Sequence, residues 1–183
     1  MQHNISDLIA LFANTFETRY QTILVKGDDE PIYLPADEHH PMHRIVFAHG
    51  YFASALHEIA HWCIAGPARR LLEDFGYWYC PDGRSAVEQK AFEQVEVKPQ
   101  ALEWAFSVAC GKRFNLSADN LSGEATDDSE FRVSVEKQVQ YYLHHGFSER
   151  AEHFIAALCQ FYGQPYPLRE QQFNFQKVDV VSV

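Results

Sequence analysis

Basic residues are scarce in this chain. Lys and Arg number 15 against 25 Asp and Glu, so the formal charge over 183 residues is −10. A nucleic-acid binder carries a basic face, so direct nucleic-acid binding is not expected. A cationic partner or substrate suits this charge better. Cysteines are also few. Cys63, Cys80, Cys110 and Cys159 stand far apart with no CxxC pair, which excludes a disulfide framework or a cysteine-rich zinc module. Free thiols in a reducing compartment are the simpler expectation. No run approaches the ~20 apolar residues that a membrane span needs. The opening MQHNISDLIALFANTFETRY lacks the basic start, apolar stretch and small-residue cleavage site of a secretory signal. The expectation is a soluble, cytoplasmic protein with no membrane partner.

Hydrophobic residues make up 46% of the chain and aromatics 14%, too much for a disordered polymer. The length predicts a single domain spanning 1–183. Ile5, Leu8, Ile9, Phe12, Phe16 and Tyr20 recur at helical spacing and predict a first helix with a core-facing stripe. TILV at 22–25 and IYL at 32–34, separated by the polar KGDDEP, suggest a β-hairpin, and RIVFA at 44–48 a buried strand. Phe52 to Ala65 is the strongest helix, with Gly66-Pro67 as its stop. GYWYCPDG at 76–83 reads as a strand or ordered loop. Ser85 and Glu88 have capping-box spacing, and Pro99 either breaks that helix or opens a second one running to Gly111. The polar stretch 115–128 reads as a mobile loop. Ser129 to His145 and Ser148 to Tyr162 are two more helices, each followed by glycine. The fold class is α+β, one compact domain with a small sheet packed on several helices.

The chemistry concentrates in HGYFASALHEIAHW, residues 49–62. His57 and His61 are one helical turn apart, so both imidazoles leave one face and can grip a single metal ion. Glu58 completes an HExxH pattern on what should be a central helix. In metal-dependent hydrolases that glutamate polarises the bound water. Two histidines buried together need partners for their ring nitrogens, and a shared cation supplies one.

The pair requires a third ligand from downstream. Glu88, Glu93, Glu96 and Glu103 are the candidates. Capping is sufficient to explain Glu88. Glu96 sits between Val95 and Val97, and a buried carboxylate there should be paired or bound to metal. Glu96 is therefore ranked first. Glu93, Glu96, Gln100 and Glu103 also recur at helical spacing, an acidic face that could look at the histidines. His49 could lie behind a ligand, shuttle a proton or merely end a strand. His39, His40 and His43 fall in a polar loop, His144 and His145 at a helix end, and Cys63 in the core.

Two histidines and one carboxylate admit two chemistries. Zinc with Glu58 as base would make a metallopeptidase. Fe(II) with open positions would activate O2 as co-substrate. A third reading, without catalysis, is an interaction domain whose metal is structural and fully enclosed by ligands.

HGYFASALHEIAHWCIAGPARRLLEDFGYWYCPDGRS, then FEQVEVKPQALEW and FNLSADNLSG, together resemble the bacterial elongation factor P hydroxylase family, most densely over 44–123. The resemblance implies an enzyme that hydroxylates a lysine of elongation factor P after a β-lysyl group has been attached. It implies a non-haem iron site of two histidines and one carboxylate, on a fold unlike the double-stranded β-helix oxygenases. By position, His57 and His61 match the family's histidine pair; Glu96 rests on the residue argument alone. Glu58 would then be free of hydrolytic duty, either steadying a ligating histidine or binding a substrate ammonium. No 2-oxoglutarate signature is visible. Arg69-Arg70, Tyr77-Trp78-Tyr79 and the 115–128 loop are candidate docking elements for elongation factor P.

Overall fold

The computed structural model describes residues 2–74, 84–117, 129–174 and 180–181. Asn4 opens helix α1 (Ile5–Tyr20) by accepting the Ser6 N–H at 3.0 Å. The expected stripe faces inward, with Leu8, Phe12 and Phe16 buried. Gln21, in the left-handed region, ends the helix and turns the chain into strand β1 (Thr22–Lys26).

The expected hairpin does not form. Strand β3 (His43–Phe47) lies between β1 and β2 (Ile32–Leu34). It runs parallel to β1, with Ile45 opposite Leu24, and antiparallel to β2, with Ile45 opposite Tyr33. The central place goes to the strand that buries Ile45 and Phe47, where both of its edges are hydrogen-bonded. Neighbouring sequence runs are not obliged to pair when a third run covers its edges better. Along β1 and β3 buried and half-buried residues alternate, so one face of the sheet meets the helices.

After β3, His49 and Gly50 both take positive φ, 53° and 69°. This tight reversal delivers helix α2 (Phe52–Ile64), which ends where Gly66-Pro67 was expected to stop it. Its apolar positions Ala55, Leu56, Ile59, Ala60, Trp62 and Cys63 are buried. They pack on β3, on helix α3 (Ala86–Ala109) and on helix α5 (Glu149–Tyr162). Burying a side chain such as Leu56 or Ile59 stabilises by about 1.5–3 kcal/mol, which fixes the helix that carries HExxH. Arg150 of α5 clamps its end. One guanidinium nitrogen donates to the carbonyls of Trp62 at 2.9 Å and Ala65 at 2.6 Å, where a cation also meets the negative pole of the helix.

Helix α3 begins with the expected capping box: Ser85 and Glu88 bond each other's backbone N–H groups. Pro99 neither breaks it nor opens a new helix, and α3 is continuous through it. Proline costs one backbone bond inside a helix, but α3 is buried against α2, α4 (Ser129–His145) and α5, and that packing prevails. The last helices end as expected, with Gly146 and Gly163 at positive φ. Strand β4 (Leu116–Ser117) pairs parallel with β5 (Val180–Val181), so the start of the expected 115–128 loop is ordered. Residues 118–128, the 76–83 segment and Cys80 lie outside the described residues.

Phe12 and Phe16 close edge-on over Trp62, at 5.5 and 4.9 Å between ring centres, and Phe154 joins them. Cys63, Cys110 and Cys159 are free and buried. The architecture is the α+β domain expected from the sequence. Among the described residues no helix is long and apolar enough to cross a membrane.

Candidate metal centre

Helices α2 and α3 lie against each other, and their polar residues meet where the apolar ones leave room. His57 and His61 come from α2. Glu96 and Glu103, two turns apart on α3 and hence on one face, come to meet them. The His57 and His61 Nε2 atoms are 3.0 Å apart. Glu96 Oε1 stands 3.3 Å from His61 Nε2, and Oε2 stands 3.4 Å from His57 Nε2. One donor atom from each of the three residues falls within 4.8 Å of the others.

Glu96 is 4% exposed, and its Oε2 makes no hydrogen bond among the described residues. An orphaned carboxylate oxygen in the interior is costly. Burial by itself would raise the Glu96 pKa, but His61, His57 and the buried Arg84 outweigh it and hold the pKa below its usual value. Two imidazole nitrogens and an ionised carboxylate oxygen converging on one point fit a divalent transition metal, and His57, His61 and Glu96 would hold it.

Glu103 has a different task. The His57 Nδ1–H donates to Glu103 Oε2 at 2.9 Å, which turns Nε2 toward Glu96 and His61. A carboxylate behind a ligating imidazole sets its tautomer and raises its basicity. For His57 the largest influence is burial, which opposes the charged form. The Glu103 hydrogen bond and the carboxylates of Glu96, Glu103 and Glu58 overcome it and raise the pKa to about 10.

Glu58 is half-buried beside the donor cluster. Burial raises its pKa, against the pull of His57 and His61 and with the push of Glu96 and Glu103. It makes no hydrogen bond among the described residues. Glu88 stays in the capping box. Glu93 accepts from Gln89 Nε2 at 3.2 Å. Gln100, in the middle of the expected acidic face, instead ties down β4: its Nε2 donates to the Ser117 carbonyl at 3.0 Å. Of that face, only Glu96 and Glu103 reach the histidines.

The other histidines are elsewhere. His49 is exposed in the turn after β3, 3.8 Å from Asp29, the strand-end role. His40 pairs with Asp37, and His43 accepts the Ala36 N–H and stacks on Tyr33. His145, at the end of α4, bonds the Tyr141 carbonyl at 2.9 Å. Of the docking candidates, Arg69 pairs with Asp74 and Arg70 reaches the Ala65 carbonyl at 3.4 Å. Tyr77 to Tyr79 lie outside the described residues.

Sequence reasoning missed Arg84, which is 1% exposed, donates to Gln89 Oε1 at 2.9 Å and lies 3.9 Å from the Phe92 ring centre. Its position just before a capping box was the only signal, and that spoke of a helix start.

Two histidines from one helix and a carboxylate from the next, inside an α+β domain, are a set of donors that could hold one metal ion. A family model for elongation factor P hydroxylase matches residues 11–173. A relative from Haemophilus influenzae, an elongation factor P lysine hydroxylase, is 51% identical over 183 residues, covering all of both chains. This chain belongs to the elongation factor P hydroxylase family and is a hydroxylase, an oxidoreductase. Membership decides against the peptidase and the non-catalytic interaction domain that HExxH alone allowed.

Proposed function

We propose that this chain, acting over 1–183 as one domain in the cytoplasm, hydroxylates a lysine side chain of translation elongation factor P that already carries a β-lysyl group. The metal would be Fe(II), held by His57, His61 and Glu96, with O2 as co-substrate. The reading involves no direct nucleic-acid or membrane contact. The observation that carries it is the convergence of those three donors around a Glu96 oxygen that has no hydrogen bond among the described residues, in a chain of this family.

A bound Fe(II) would supply dioxygen activation; one oxygen atom enters a C–H bond, and the other leaves as water at the expense of an electron pair from a reductant. The protein's own contribution is arrangement. Glu103 accepts the His57 Nδ1 proton, so Nε2 is the nitrogen turned toward the metal position. Glu96 adds negative charge that offsets part of the cation's. The net charge of −10 favours approach of a side chain bearing ammonium groups.

The test is anaerobic metal analysis together with mass spectrometry of β-lysylated elongation factor P. Iron-dependent gain of one oxygen atom is expected, lost in His57→Ala and His61→Ala while the circular dichroism stays native. An unchanged mass gain in either variant, or activity restored by zinc and not by iron, would reject the reading.

A further inference from the structure

Two tasks were open for Glu58, steadying a ligating histidine or receiving an ammonium. Glu103 performs the first for His57, and Glu58 makes no hydrogen bond to His57 or His61 among the described residues. What remains for Glu58 is a cleft.

That cleft is narrow, about 30 Å³ in volume, and opens to solvent. Glu58, His61 and Trp62 line it from α2, and Tyr33 and Ile45 from the sheet. The segment after α2 completes it, docked on the edge of β2 by paired backbone bonds between Tyr33 and Asp74. On this segment Arg69 is paired with Asp74, whereas Arg70 keeps its positive charge and reaches the neutral Ala65 carbonyl at 3.4 Å. Glu58 meets the cleft from α2 with no hydrogen bond among the described residues. His61 belongs both to the cleft wall and to the donor cluster, so a molecule in the cleft lies beside the proposed metal.

The chemistry of this lining is specific. Tyr33, Ile45 and Trp62 offer apolar and aromatic surface suited to a methylene stem, and a carboxylate with aromatic neighbours suits its cationic head. A half-buried carboxylate without a bond gains most from a ligand that brings a charged donor. We propose that this cleft receives the alkylammonium side chain of the substrate, with Glu58 as its charge partner, so that a stem carbon is presented to the metal. The inference rests on the metal-site reading above and names the substrate-binding side of that site. It also gives the glutamate of HExxH a binding role in place of the hydrolytic one.

The experiment uses the full-length protein loaded with Zn(II), which cannot turn over, titrated calorimetrically with N-acetyl-lysine methylamide and with its norleucine counterpart, which lacks the ammonium. The lysine probe should bind roughly tenfold tighter or more, the effect of one charge-assisted hydrogen bond. Glu58→Gln, close to isosteric, should abolish that preference without changing the metal content. In turnover on modified elongation factor P with iron, the same variant should show a raised KM and a smaller change in kcat. Equal binding of the two probes by metal-loaded wild type, or a preference that survives Glu58→Gln, overturns this inference alone. Failure of the wild type to hold metal at His57, His61 and Glu96 overturns the metal reading and this inference with it.

Discussion

Glu103 accepts the His57 Nδ1 proton at 2.9 Å across the α2–α3 interface, two turns beyond Glu96 on the same helix face. One helix thus supplies both the carboxylate that faces the proposed cation and the carboxylate that orients its histidine. Glu103→Leu should lower divalent-metal affinity by about 10–100-fold, the usual effect of losing such a partner. Glu103→Gln should keep most of it, because an amide oxygen can still accept the Nδ1 proton. Competition with a chromogenic chelator measures both. Equal affinities for wild type and Glu103→Leu would remove Glu103 from the site.

Helix α3 can hold those carboxylates only if its first turn is formed, and that turn is tied by Ser85 and Glu88. The backbone N–H and then the hydroxyl of Ser85 hold the Glu88 pKa below its usual value. A depressed folded-state pKa contributes stability that is present above the unfolded value of about 4.3. It is lost as pH falls through the folded value. Glu88→Gln should therefore melt below wild type near neutrality, and the gap should narrow from about pH 6 to about pH 3. Melting curves followed by circular dichroism test this. A gap independent of pH would mean the carboxylate charge is not what stabilises the turn.

Behind the HExxH helix, Phe12 sets its ring edge-on to Trp62 at 5.5 Å and to Phe154 at 5.9 Å, with no exposure to solvent. Phe12→Ala leaves a cavity at this junction and should cost about 3–5 kcal/mol in denaturant unfolding. Because Phe12 touches the apolar side of α2, folded Phe12→Ala protein should still bind metal. A loss below about 1 kcal/mol would mean that the aromatic cluster relaxes freely around the gap.

That His57, His61 and Glu96 come together could be read from the sequence because their spacing and setting are local. Histidines four apart share a helix face, and a glutamate between valines has to find a partner. The Ser85–Glu88 box is equally local. The pairing of β3 with both β1 and β2 was not readable, since a strand's place in a sheet is decided by competition among segments distant in sequence. Pro99 misled because helix propensity describes an isolated helix, whereas α3 is packed on several sides. Glu103 was correctly placed near the histidines as a candidate ligand, but spacing could not say that it would reach Nδ1 and not Nε2. Arg84 and Arg150 act through contacts that form only once the chain is folded.

On the reading proposed above, His57, His61 and Glu96 together hold one iron on which hydroxylation depends. Elemental analysis of anaerobically prepared Glu96→Ala beside wild type decides whether they do. Wild type should carry close to one iron per chain and Glu96→Ala almost none, with native circular dichroism in both. Glu96→Ala that retained a full complement of iron would contradict the account.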